Sequence, residues 1–154
     1  RMVVDDSGSK RLTVYDITTD TYRDKIKYSF PYIETMIRDL KVGDYDSAFK
    51  ELINNHSVEA EICLSFLLKY VIYSLNAAEE VGYDIHSADD VMATGFNWCP
   101  PLALISAFSD IMDFKGLVFE RIDKQILNSI DIDKLLSKVE PSKYDYRLYF
   151  KSIK

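Results

Sequence analysis

Few residues in this chain have the type and spacing to do chemistry. The two histidines, His56 and His86, lie in connecting segments. Neither has a carboxylate arranged beside it as a catalytic dyad needs, so both read as surface or capping residues. The two cysteines, Cys63 and Cys99, are far apart and match no metal or redox spacing. They read as free thiols buried in a core. Asp89/Asp90 and Glu79/Glu80 are adjacent pairs. Adjacent side chains splay apart on a helix, so these suit caps and solvated faces rather than paired acid–base work. Ser65 falls in an apolar helix, where a hydroxyl bonds back to the carbonyl four residues earlier. Gly8, Gly43, Gly82, Gly95 and Gly116 are too dispersed to form G-x-G-x-x-G. No turn is present that would cradle the pyrophosphate of a dinucleotide.

Composition narrows the partners. With a formal charge of −6, the chain has no basic face to displace the counterions of a nucleic acid. Its 154 residues suffice for one domain with a real core. The most apolar run, Ile62 to Leu75, contains Lys69 and is too short to span a bilayer. No signal peptide opens the sequence. A cytoplasmic protein that binds neither nucleic acid nor membrane is the expectation.

The periodicity predicts an all-α bundle around one long central helix, with short terminal strands as an addition. Residues 1–30 read as a linker and extended arm, 31–140 as the helical domain, and 141–154 as an extended tail. Pro31 opens a first helix with Ile33, Met36, Ile37 and Leu40 on one face, and Gly43 stops it. Asp44 or Asp46 caps a second, with Ala48, Phe49, Leu52 and Ile53 inward. The longest helix starts near Ser57 and ends at Gly82. It is apolar nearly all round between Ile62 and Leu75, as a helix packed on several sides must be. A helix from Pro101 carries Leu104, Ile105, Phe108, Ile111 and Met112. Gly116 separates it from a segment with Val118, Phe119, Ile122 and Ile126 inward, and a last piece holds Ile132, Leu135, Leu136 and Val139. Tyr144, Tyr146, Leu148 and Phe150 alternate with mostly polar residues, which suggests a strand that pairs with Leu12 to Tyr15.

One stretch, Asp89 to Phe108 (DDVMATGFNWCPPLALISAF), has a specific order. Ser87 starts a short helix as in a capping box, and Gly95 ends it. Phe96, Asn97, Trp98 and Cys99 make a turn, and Pro100 and Pro101 open the next helix. Phe96 and Trp98 read as packing anchors.

This order resembles the C-terminal helical domain of 3-hydroxyacyl-CoA dehydrogenases, which carries D-x-A-M-x-x-G, a short aromatic or glycine turn, then G-P and an apolar helix. The segment from Val14 to Pro31 resembles the linker before the second copy of that domain in fused, multidomain members. The resemblance implies the 6-phosphogluconate dehydrogenase C-terminal-domain fold. It also implies an NAD-dependent enzyme of fatty-acid β-oxidation, possibly fused to an enoyl-CoA hydratase, that oxidises the C3 hydroxyl of a 3-hydroxyacyl-CoA. NAD and the acyl-CoA would be bound by the full-length enzyme, with no cofactor held by this chain. The family's active-site Asn lies in G-F-I-x-N-R, which falls here on Glu61-Ile62-Cys63-Leu64-Ser65-Phe66. Ser65 or Leu64 takes the Asn place and Phe66 the Arg place. Acidic positions after G-P fall near Ala103 and Ser106. These departures imply a non-catalytic copy that packs on the first helical domain of the same polypeptide. Phe66, Tyr70 and Tyr73, with the helix after Pro101, are the interface candidates. Left bare in the isolated chain, that patch would make a homodimer. The alternative is a free-standing helical interaction module without enzymatic activity.

Overall fold

A computed structural model describes residues 1–4, 7–26 and 28–151. The chain divides into two compact units, Arg1–Phe30 and Pro31–Lys154.

The first unit is a three-stranded antiparallel sheet in the order β1 (Met2–Val4), β2 (Lys10–Asp16), β3 (Thr21–Asp24). Met2 pairs with Leu12 and Tyr15 with Tyr22. The linker-and-arm reading of these residues is therefore corrected. The Thr- and Tyr-rich stretch lacks a helical period because it is a strand pair. Asp16 accepts from the Thr18 N–H at 3.0 Å, which folds the connection into an Asx turn. The Tyr15 and Tyr22 rings meet edge-on across the strands.

The described part of the second unit is built of helices joined by loops. It contains α1 (Pro31–Val42), α2 (Tyr45–Asn54) and α3 (Val58–Val81). Next come α4 (His86–Asp90), a π-helical turn over Val91–Phe96, and α5 (Pro101–Ser109). The chain continues through α6 (Phe114–Arg121), α7 (Lys124–Leu127), α8 (Ile132–Ser137) and α9 (Arg147–Phe150). Gly43 has φ +82°, a conformation that lets the chain leave α1 and reach the Asp44 cap at once.

The core forms around α3. Its 24 residues make a rod of about 36 Å. Ala60, Leu64, Leu68, Val71, Ile72, Leu75 and Ala78 are buried along one side. They meet α2, α4, α5, α6 and α8. Ser57 caps the helix by accepting from the Ala60 N–H. Phe49 of α2 meets Phe108 of α5 edge-on, which ties these elements across the core.

Two local expectations are overturned. Gly116 lies inside α6 rather than between helices, because Asp113 caps α6 by accepting from the Lys115 and Gly116 N–H groups. Phe119 then faces outward, under the Lys115 ammonium. The described part of the tail is no strand either. Tyr146 and Phe150 are four residues apart and both pack on Phe49, a spacing that needs a helical turn.

Candidate functional site

The stretch that links α3 to α5 is held by a series of backbone and side-chain hydrogen bonds. Gly82 ends α3 with its N–H on the Ala78 carbonyl at 2.8 Å. The Ser87 N–H then donates to Asp84 Oδ1 at 3.1 Å, while Ser87 Oγ accepts from the Asp84 N–H. This is a reciprocal cap with Asp84 at its head, so Ser87 closes the capping box rather than opening it. Gly95 does not end the helix. The wider π turn carries the chain one residue on, through Phe96, and Asn97 takes the left-handed position at φ 52°. Asparagine tolerates that region because its short polar side chain bonds locally. The N–H groups of Asn97 and Trp98 both close on the Met92 carbonyl.

Asp89 fixes this turn to the head of α5. Its side chain is fully buried. Oδ1 accepts from the Leu102 N–H at 2.7 Å, satisfying one of the orphan donors of that helix start. Oδ2 accepts from the Ser142 hydroxyl. Burial pushes the Asp89 carboxyl above its ordinary value, against the opposing pull of these two bonds. Asp90, next in sequence, points to water and accepts from Lys143 Nζ at 2.8 Å and Tyr144 Oη at 2.6 Å. The Lys143 bond leads in holding Asp90 below the usual carboxylate range. The same Asp90 bond pushes the Tyr144 phenol up to about 12. His86 meets Glu140 at 3.1 Å. The segment from Glu140 to Tyr144 is thus strapped along α4 by four pairings, to His86, Asp89 and twice to Asp90.

The clamp presents two aromatic rings to solvent. Phe96 is 59% exposed and Trp98 51% exposed, so neither is the packing anchor expected from sequence. Their rings lie 5.9 Å apart. Tyr70 of α3 braces Trp98 edge-on at 5.8 Å and donates its hydroxyl to the Cys99 carbonyl at 2.8 Å. Of the interface candidates, Phe66 (61% exposed) and Tyr73 (49%) do face water on the outer side of α3, while Tyr70 is half-buried and committed to the turn. The helix after Pro101 is not available as an interface. All of its residues from Pro101 to Phe108 except Ser106 are buried within this unit.

The groups with chemical potential are spread apart. Cys99 is half-buried, and burial followed by the Asp89 charge pushes its thiol up to about 12. It is no nucleophile near neutral pH. Cys63 is exposed rather than buried, with the Tyr32 hydroxyl 3.5 Å from its sulfur. Each histidine does have a glutamate partner, contrary to the reading from sequence: His56 with Glu61 at 3.2 Å, His86 with Glu140. In His86, however, Nε2 faces Glu140 and Nδ1 is buried without a partner among the described residues, so neither nitrogen opens on a cleft. At the place of the family's Asn, Leu64 is in the core and Ser65 is half-buried. Ala103 is buried, and the Ser106 hydroxyl donates to the Leu102 carbonyl. Among the described residues no three His, Cys, Asp or Glu side chains group as a metal site would need, and no single helix is long and apolar enough to cross a membrane.

Comparison with protein-family models, curated proteins and solved structures returns no match for this chain.

Two parts of the arrangement escaped the sequence reading. One is the burial of Asp89, whose signal was an acid 13 residues before the free N–H of a Pro-Pro helix start. The other is the Arg121 guanidinium, which pairs with Glu61 of α3 and donates to the Ile53 carbonyl at the end of α2. Nothing in the local sequence of α6 marks that pair, since the partners lie 60 and 68 residues away.

Proposed function

We propose that this chain is a non-catalytic helical domain that works by docking, and that it belongs to an NAD-dependent 3-hydroxyacyl-CoA dehydrogenase of fatty-acid β-oxidation. In that role it packs against the first helical domain of the same polypeptide and completes the fold or cleft there. NAD and the acyl-CoA substrate are handled by other domains. The observation that carries the docking role is the pair Phe96 and Trp98, held in solvent on a turn that Asp89 locks from below. Exposed aromatic side chains on a rigid support are what interface cores are built from, since they bring large contact area at small entropy cost. The attribution to the dehydrogenase is supported by the order of residues from Asp89 to Phe108.

A second reading, a free-standing interaction module, is supported by Phe66. An exposed aromatic stands where the family's motif has its arginine. The two readings share the docking surface and differ in what carries it. Purified alone, the chain is expected neither to bind NAD in calorimetry nor to oxidise 3-hydroxybutyryl-CoA. Turnover by the purified chain would overturn the non-catalytic reading. An open reading frame without a Gly-rich dinucleotide turn upstream would remove the dehydrogenase and leave the module.

A further inference from the structure

The side of α3 opposite the core has its own apolar stripe. Ile62, Phe66, Tyr73, Ala77 and Val81 recur at spacings that keep them on one face, and all five are exposed. Soluble surfaces rarely leave an apolar strip of this length, broken only at Lys69, uncovered. At its C-terminal end the stripe opens into a groove of about 490 Å³ between α3 and the α4–π segment. Ser74, Ala77, Val81, Tyr83, Val91 and Met92 line it. Phe96 and Trp98 border the same side through Tyr70.

The charges around the stripe say what can cover it. Glu59 stands at one end, exposed and without an ion pair among the described residues. Glu80 stands at the other, exposed and holding only the Asn76 amide at 2.8 Å. The one cation along the stripe, Lys69, is already paired with Asp123 at 2.8 Å. A second copy of α3 laid antiparallel on this face would set Glu59 against the other copy's Glu80, twice over. Laid parallel, it would set each acid against itself. Like charges facing across an interface are repulsive and reject wrong partners. Self-association through this face is therefore disfavoured.

We propose that the outer face of α3, from Glu59 to Val81, docks one amphipathic helix of another domain or protein. That helix has an apolar stripe, a basic residue near each end, and bulky apolar side chains that enter the groove beside Val91. This is helix-in-groove recognition, in which spacing supplies the fit and terminal charges set orientation and partner choice. The inference rests on the docking role proposed above and adds the chemistry of the partner.

The test uses three labelled synthetic helical peptides with the same apolar stripe and Arg, Gln or Glu at both ends. Fluorescence anisotropy with the purified chain reads their affinities. The Arg-ended peptide should bind about tenfold tighter than the Glu-ended one at low salt, with the gap closing as salt rises. Glu59→Lys combined with Glu80→Lys should reverse the order; both side chains are exposed, so the fold should be kept. Phe66→Asp with Tyr73→Asp should abolish binding of all three peptides while the helical circular dichroism is unchanged. Equal affinity for the three peptides, or an order that survives the charge reversal, overturns the basic-ended partner but leaves the surface. Binding that survives Phe66→Asp with Tyr73→Asp overturns the surface itself. Failure of the Arg-ended peptide to bind overturns the helical partner, and the docking role of Phe96 and Trp98 is then judged by its own footprint.

Discussion

Replacing Asp89 tests the clamp that holds the aromatic turn. Asp89→Ala removes the acceptor for the Leu102 N–H and for the Ser142 hydroxyl. A hydrogen bond to a charged group contributes roughly 1.5–3 kcal/mol, and an orphaned buried donor costs about 1–3 kcal/mol. Against this, alanine relieves the burial of a carboxylate, and the upward push on the Asp89 carboxyl shows that burial outweighs its two bonds. The expected net loss at neutral pH is about 2 kcal/mol. Asp89→Asn keeps an oxygen for Leu102 and offers its amide to Ser142, so it should stay within about 1 kcal/mol of the wild type. The pH dependence has a definite sign. The folded-state value is raised, so between the ordinary value of 3.8 and the raised one the folded state binds more protons than the unfolded state. Stability contributed at Asp89 is therefore present at low pH, falls as pH rises through that window, and is flat above it. The wild type should lose ground to Asp89→Asn over that window. Urea unfolding followed by Trp98 fluorescence across a pH series reads both effects. An alanine variant within about 0.5 kcal/mol of the wild type, or a wild type that gains on the asparagine variant with rising pH, would refute the clamp.

Asp90 should behave in the opposite sense. Its folded value is lowered, chiefly by Lys143, so its contribution is present above 3.8 and lost as pH falls through the lowered value. Thermal unfolding of Asp90→Asn should differ from the wild type near neutral pH and converge with it in acid; a gap that persists in acid would contradict the pairing with Lys143. Trp98→Ala should cost about 1 kcal/mol, the scale of its ring contacts with Tyr70 and Phe96. A loss of about 3–5 kcal/mol, the scale of a core aromatic, would place the ring inside. Gly82→Ala would bring a Cβ to 2.6 Å from the Ala78 carbonyl oxygen and 2.9 Å from Ser87 Cβ. Denaturant melts should show a loss of about 1–3 kcal/mol, and a neutral result would mean that the α3–α4 junction yields freely.

The helices were legible where a local rule writes them. Pro31, Asp44, Ser57, Gly82 and Pro101 mark boundaries that the structure keeps, because each acts on backbone groups within one turn. Ala48, Phe49, Leu52 and Ile53 are all buried, as a single apolar face demands. Legibility failed where a distant partner decides. Tyr144 to Phe150 alternates like a strand, yet Phe49 draws Tyr146 and Phe150 to one side of a helical turn. Of the N-terminal sheet only the strand around Leu12 to Tyr15 was legible; its partners Met2–Val4 and Thr21–Asp24 were not, because they are three and four residues long and the Thr-rich turn contains no glycine. The site divides in the same way. The Pro-initiated start of α5 could be placed from sequence, but the π turn that carries the helix past Gly95 to Phe96 could not. The exposure of Trp98 depends on Tyr70, 28 positions earlier, and on the Asp89 bond to Leu102. A lone tryptophan among apolar helices reads as core until those partners are known.

The docking role is tested most directly by hydroxyl-radical footprinting of Phe66, Tyr73, Phe96 and Trp98. The chain expressed by itself is compared with the same chain within its native polypeptide or complex, isolated under gentle conditions. Alone, the four rings should oxidise readily, as their exposure requires. In the native state they should be protected together, while Phe119, exposed on α6 away from that face, keeps most of its reactivity. Equal oxidation of the four rings in both preparations would contradict a docking surface at the turn and along α3.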